Sequence, residues 1–81
     1  MIIHRLPNTT LPSTLPPLGA NLRKAREACG LTQRDMATLL GLGSATAILL
    51  YEQEKRGIDA LMLWKFASIC GVGVETLFSS P

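Results

Sequence analysis

The chain has 81 residues and a formal net charge of +2, and 47% of its residues are hydrophobic while only 17% are charged. This length leaves no room for an enzyme built from two domains with a cleft between them. The apolar content excludes an intrinsically disordered polypeptide. We therefore expect one small domain that gains stability by associating with another chain.

Residues 1–17 are predicted to form an extended, proline-rich arm. They contain four of the five prolines of the chain, and proline is unsuited to a helix interior and lacks the N–H that a β-ladder requires. The leucines of the arm, Leu6, Leu11 and Leu15, favour packing on a neighbouring subunit or a ligand. A plain disordered tail is equally compatible with this composition. A folded domain is predicted to follow over residues 18–81.

Five short helices are predicted in that domain, with no strand. Leu18, Leu22 and Ala25 recur at helical spacing, and Gly30 is placed to end the first helix. The next three helices are predicted to begin at the polar capping residues Thr32, Ser44 and Asp59. Gly41 and Gly71 are predicted to end the second and fourth helices, and a short last helix is predicted to cover residues 75–78. The pattern indicates an all-α fold.

Two cysteines and one histidine are too few, and too scattered, to predict a metal site. Cys29 and Cys70 are expected to be reduced thiols in a cytoplasmic protein. We find no Ser-His-Asp or Cys-His set, so we expect neither catalysis nor a cofactor. We do not expect the apolar start of the chain to act as a signal peptide, and no apolar run approaches the roughly 20 residues of a membrane span.

In the segment G-L-T-Q-R-D-M-A-T-L-L-G, residues 30–41, a glycine that ends one helix is followed by a helix-capping threonine, an amphipathic helical turn and a second glycine that ends the next helix. Two helices that meet across a short turn need a small residue where they cross, and Ala37 suits that position. Together with Tyr51-Glu52 at a suitable distance, the segment resembles the phage-repressor family, the Cro- and Xre-like helix-turn-helix proteins. The resemblance covers about residues 18–78 and implies a lambda-repressor-like domain of five helices.

The resemblance also implies a set of DNA-binding residues. In the family, the glutamine at the start of the second helix contacts a DNA phosphate, the first turn of the third helix reads base edges in the major groove, and the following loop contacts the backbone. With their immediate neighbours, the matching positions are Thr32, Gln33, Arg34, Gly43, Ser44, Ala45, Thr46, Leu50, Lys55 and Arg56. A partly buried ion pair between Arg26 and Glu52 is implied as well, connecting the first and third helices.

Three departures from the family pattern affect these expectations. The turn between the second and third helices is one residue longer than usual. Glu54 stands where a glycine is common, and because a left-handed conformation is costly for Glu, we expect the third helix to continue through it. That helix lacks the Arg, Lys, Asn and Gln residues that distinguish bases, and residues 35–54 carry three acidic and no basic side chains, which opposes the approach of phosphate.

The predicted function is a sequence-specific transcriptional regulator, a repressor that binds a palindromic operator in double-stranded DNA as a homodimer. Thymine methyl groups, DNA shape and an arm carrying His4 and Arg5 would supply the specificity. Trp64, predicted to be half-buried, and Phe78 are candidate dimer contacts. One alternative is an antitoxin-type subunit that binds a toxin-like protein as well as DNA. The other is a protein-interaction module without DNA binding, in which the apolar third helix faces another protein.

Overall fold

The computed structural model describes residues 16–79, and these residues form five α-helices with no strand among them. The helices are α1 (Leu18–Ala28), α2 (Gln33–Leu39), α3 (Ala45–Glu52), α4 (Ala60–Cys70) and α5 (Val74–Leu77). This confirms the predicted all-α, five-helix fold. Residues 1–15 contain most of the predicted arm, including His4 and Arg5, and lie outside the described residues.

Each of the five helices supplies one large side chain that is fully buried. These side chains are Leu22, Met36, Ile48, Phe66 and Leu77, in chain order. They meet in one core because α1 packs against α3, α4 and α5, while α2 packs against α3. Burying a side chain of this size contributes about 1.5–3 kcal/mol. The core thus depends on all five helices, including the single turn of α5.

Polar side chains cap three of the helix starts, as predicted. The hydroxyl of Thr32 accepts a hydrogen bond from the Asp35 N–H at 3.0 Å, and the Asp35 carboxylate accepts one from the Thr32 N–H at 2.9 Å. These hydrogen bonds, the one from the Thr32 backbone first, lower the pKa of Asp35. Ser44 and Asp59 cap α3 and α4 with one side-chain hydrogen bond each. The Ser44 hydroxyl accepts from the Thr46 N–H, and the Asp59 carboxylate accepts from the Met62 N–H. Because these signals are local, the sequence alone located all three helix starts.

The end of α3 differs from the prediction. The helix does not continue through Glu54; it ends at Glu52, and Glu54 adopts a left-handed conformation with φ of 57°. The Glu54 carboxylate accepts a hydrogen bond from the Gly19 N–H at 3.0 Å. It therefore caps α1, for which Pro17 provides no side-chain cap. A negative charge at a helix N-terminus is stabilising, and it offsets a backbone cost of roughly 1–2 kcal/mol.

The C-terminal half of the domain departs from the predictions in two details. Trp64 is not half-buried but 59% exposed, and Leu61, one turn earlier on α4, is 62% exposed. The last helix begins at Val74 and ends at Leu77, so Phe78 follows it and is exposed. The expectation for Trp64 failed because both sides of α4 are apolar, and periodicity alone could not tell which side faces the core.

Candidate nucleic-acid interface

The N-terminal turn of α3 presents its polar side chains to solvent. Ser44 and Thr46 are exposed, whereas Ala47 and Ile48 point into the core. The Ser44 hydroxyl accepts a hydrogen bond from the Thr46 N–H at 3.0 Å, which fixes the start of the helix. The Thr46 side chain is therefore carried outward on a capped helix end rather than on a loose loop.

The remaining residues predicted to reach bases are less exposed. Ala45 and Leu50 are half-buried, while Gly43 is exposed in the turn that precedes α3. Of the three consecutive aliphatic residues on α3, Ile48 is fully buried and Leu49 is the most exposed, at 37%. The outer surface of α3 consequently combines the small, weakly polar groups of its first turn with the aliphatic side chain of Leu49.

A buried hydrogen-bond network connects α1, α2 and α3 behind this surface. The guanidinium of Arg26 donates to the Glu52 carboxylate from Nε at 2.6 Å and from Nη2 at 3.1 Å, and the two side chains are only 8% and 4% exposed. A third donor, Nη1, bonds the carbonyl oxygen of Leu31 at 2.8 Å. The hydrogen bond with Glu52 raises the pKa of Arg26 above its ordinary value. The predicted ion pair is thus present, and it is more deeply buried than the sequence suggested.

Gln33 joins the same network from the first residue of α2. Its side-chain amide donates to Oε1 of Glu52 at 3.1 Å. The NH₂ group of glutamine has two hydrogens, so one remains to donate to a ligand at the surface. Glu52 therefore orients the Gln33 amide before any ligand is present.

Exposed basic side chains occur before and after α3 along the chain. Arg34 in the first turn of α2 is exposed, as are Lys55 and Arg56 in the loop after α3. Thr32 is exposed as well, but its hydroxyl is occupied by the capping interaction with Asp35. The structure therefore leaves three cationic side chains open to solvent among the predicted DNA-binding residues.

The three acidic residues of the segment 35–54 all have structural roles. Asp35 is in the capping box of α2, Glu52 is in the buried ion pair, and Glu54 caps α1. The sequence predicts caps and ion-pair partners at these positions, together with a combined charge that opposes phosphate. In the structure each carboxylate faces a guanidinium or a backbone N–H group, which reduces the negative field that this segment presents outward.

An open cleft of about 490 Å³ lies where α1, α2 and α3 meet. Three of its lining residues are not among the predicted DNA-binding residues: Arg23, Leu49 and Gln53. Arg23 could have been found, because it lies three residues before Arg26 on the same side of α1. It donates to the Glu27 carboxylate at 3.1 Å in an exposed pair. The cleft is lined by Arg23, Arg26, Thr32, Gln33, Leu49, Glu52 and Gln53.

Comparison with known families agrees with this geometry. The family model described as helix-turn-helix matches residues 22–77, well over half of the chain. The chain is a Cro/Xre-like helix-turn-helix protein. No curated protein matches this helix-turn-helix protein. Across residues 16–79, it has no helix that combines the length and the apolar character needed to cross a membrane.

Solved structures of regulators resemble this helix-turn-helix protein. The restriction-modification controller protein C.AhdI from Aeromonas hydrophila is 29% identical, over 76% of this chain and 92% of that one, with a TM-score of 0.70. The hypothetical transcription factor NHTF from Neisseria is 29% identical, over 89% and 90% of the two chains, with a TM-score of 0.72. The clp gene regulator ClgR from Corynebacterium glutamicum is 25% identical, over 82% and 71%, with a TM-score of 0.72.

Proposed function

We propose that this protein is a sequence-specific DNA-binding transcriptional regulator that represses as a homodimer on a palindromic operator. The observation that supports this most directly is the exposed, capped first turn of α3. The Gln33 amide, which Glu52 orients from the last residue of α3, supports it as well. Family membership and the regulators of similar structure support the same assignment. The function needs no catalytic step and no cofactor.

Backbone contacts would position the protein without reading sequence. Gln33 donates its second amide hydrogen to one phosphate, while Arg34, Lys55 and Arg56 neutralise others from exposed positions before and after α3 in the chain. Thr32 and Gly43 lie next to these residues along the chain, at the start of α2 and in the turn before α3. This division leaves base recognition to α3 itself.

Base recognition would come from small side chains. Ser44 and Thr46 each offer a hydroxyl, and the methyl groups of Thr46 and Ala45 suit the methyl group of thymine. Leu50, which is half-buried, would add apolar contact at most. Because none of these side chains makes a bidentate contact with a base, DNA shape must supply part of the specificity. The predicted arm, with His4 and Arg5, would add minor-groove contacts.

A second copy of the chain would complete the regulator. Leu61 and Trp64 are large, exposed and one turn apart on α4, and Phe78 is exposed after α5. Covering such side chains is a common reason for two subunits to associate. A two-fold dimer binds two half-sites about one helical turn, roughly 34 Å, apart. Occupying a promoter in this way would block transcription.

A salt titration of binding to random-sequence duplex tests the DNA-binding function. If Arg34, Lys55 and Arg56 of both subunits contact phosphates, roughly six charges are neutralised, and log K should fall against log salt with a slope of about −5. Absence of any duplex binding at ~50 mM salt would contradict the proposal and favour an interaction module. Co-purification of a second, unrelated chain would favour the antitoxin alternative.

A further inference from the structure

Two thiols that are distant in sequence lie side by side at one end of the helical domain. Cys29 follows the last residue of α1 and Cys70 is the last residue of α4, and their sulfur atoms are 3.5 Å apart although 41 positions separate them. Both are free cysteines, and Cys29 is exposed. Neither contributes to the proposed DNA-binding surface, so that function leaves the pair unexplained.

The surroundings keep the two sulfur atoms close to bonding distance. The Cys29 Sγ also lies 3.3 Å from the carbonyl oxygen of Arg26, which holds the side chain against the end of α1. A disulfide needs a sulfur–sulfur distance of about 2.0 Å, so the atoms must approach by about 1.5 Å. Side chains at helix ends can make such an adjustment more easily than side chains in a packed helix interior.

We propose that Cys29 and Cys70 form an intramolecular disulfide site that reacts with a peroxide. The Cys29 thiol first releases its proton, and the thiolate attacks one oxygen of hydrogen peroxide, breaks the O–O bond and becomes a sulfenic acid. The other oxygen leaves as hydroxide and takes up the released proton to become water. The Cys70 sulfur then attacks the Cys29 sulfur, and its proton leaves with the sulfenic hydroxyl as water. In total, two thiols and one peroxide give one disulfide and two waters.

The order of these steps follows from the different surroundings of the two cysteines. Burial, reinforced by the hydrogen bond with Cys29, raises the pKa of Cys70 to about 12, so Cys70 is a protonated thiol at neutral pH. Cys29 is the exposed partner and meets a dissolved peroxide first. Cys70, which is half-buried and protonated, therefore acts as the resolving thiol, placed to attack the product formed on its neighbour.

The bond would enclose the whole helix-turn-helix in a covalent loop. The loop runs from the end of α1 through α2 and α3 to the end of α4. A cross-link of this length restricts the unfolded chain more than the folded one, so it stabilises the folded state. Because both ends of the loop already touch, the native helices can stay in place when the bond forms.

The test is oxidation of the reduced full-length chain with hydrogen peroxide, followed by alkylation and intact-mass measurement. The expected product is a monomer about 2 Da lighter that takes up no alkylating agent, with an unchanged helical circular dichroism signal and full reversal by dithiothreitol. Tryptic mapping should join peptides 27–34 and 66–81, which carry the two cysteines. This mapping uses the wild-type protein alone and does not depend on whether a variant folds.

Single substitutions of the two cysteines distinguish the thiol that reacts with peroxide from the thiol that forms the disulfide with it. In Cys70→Ser, the sulfenic acid on Cys29 should accumulate and be trapped by dimedone, whereas Cys29→Ser should react far more slowly with peroxide. Two thiols that stay open to alkylation in the wild-type protein would overturn the proposal. A disulfide between two chains, or loss of helical signal during oxidation, would overturn it as well, since the bond must form within the native fold.

Discussion

The guanidinium of Arg26 forms two hydrogen bonds with the carboxylate of Glu52, and both side chains are buried. Such bidentate pairs join charge attraction to a fixed geometry. Burying two charges is expensive, so the net stability gained from the pair is modest, but removing one partner leaves the other charge uncompensated. The largest energetic effect of the pair is therefore the loss of stability when one partner is removed.

Arg26→Ala should lower the free energy of unfolding by about 3–5 kcal/mol, because it leaves the Glu52 carboxylate buried without its partner. Urea denaturation measures this. Arg23→Ala is the matched control, since Arg23 forms an exposed pair with Glu27 that contributes at most about 1 kcal/mol. Equal losses of unfolding free energy in the two variants would show that burial of the Arg26–Glu52 pair does not increase the cost of removing Arg26.

Gly19→Ala should be strongly destabilising because α1 and the end of α3 are in direct contact at this position. A Cβ added to Gly19 would lie 2.3 Å from the carbonyl oxygen of Glu52, a backbone atom that cannot turn aside. We expect a loss of about 1–3 kcal/mol or more in thermal or urea unfolding. Gly57→Ala is the control, with no atom within 4 Å of the added Cβ, and should change stability by less than about 0.5 kcal/mol.

Two substitutions of Glu54 separate its hydrogen bond from its backbone strain. Glu54→Ala removes the acceptor for the Gly19 N–H but keeps a left-handed non-glycine residue, and it should cost about 0.5–2 kcal/mol. Glu54→Gly loses the same hydrogen bond but relieves the strain, so it should be more stable than Glu54→Ala by roughly 1 kcal/mol. If urea denaturation ranks the two variants the other way, the left-handed residue carries no strain.

Asp35 should make stability depend on acid pH. The pKa of Asp35 is lowered in the folded state from its ordinary 3.8, so the ionised carboxylate favours folding. Its contribution is present above that unfolded value and is lost as pH falls through the lower folded value. The stability difference between the wild-type protein and Asp35→Asn should therefore shrink as pH falls below about 4. A difference that is constant between pH 6 and pH 2 would contradict the prediction.

The predicted DNA contacts can be separated into positioning and reading contacts. Gln33→Ala and Lys55→Ala should weaken binding about equally for all operator sequences, whereas Thr46→Ala should flatten the preference at one base pair. Lys24→Ala is the control for charge, because Lys24 borders a separate groove between α1 and α5 and should leave affinity nearly unchanged. Binding to a panel of operator variants measures all four; an unchanged affinity for Gln33→Ala would contradict its phosphate contact.

Local signals in the sequence located most of the fold. Thr32, Ser44 and Asp59 each satisfy backbone N–H groups within three residues of themselves, so their roles depend on nothing distant. The conformation of Glu54 could not be predicted, because Gly19, 35 residues earlier, supplies the interaction that compensates it. Contacts between residues far apart in sequence become visible only when the helices are assembled.

The candidate site likewise combines residues that the sequence could indicate with contacts that it could not. The resemblance singled out Gln33 and the Arg26–Glu52 pair. It did not indicate that the Glu52 carboxylate accepts hydrogen bonds from both Arg26 and Gln33. The closeness of Cys29 and Cys70 was equally hidden, because no sequence spacing relates the ends of α1 and α4. Arrangements of this kind depend on three or more elements meeting at one point, which a pattern along a single helix does not specify.

Because the Glu52 carboxylate accepts hydrogen bonds from both Arg26 and Gln33, it restricts which substitutions the protein can tolerate during evolution. The same group that joins the helices also aims the amide of Gln33. Under the proposed function, a mutation at Arg26 or Glu52 alters heat resistance and operator affinity together. Adaptation toward new operators is therefore freer at Thr46, where the exposed side chain can be exchanged without loosening the scaffold.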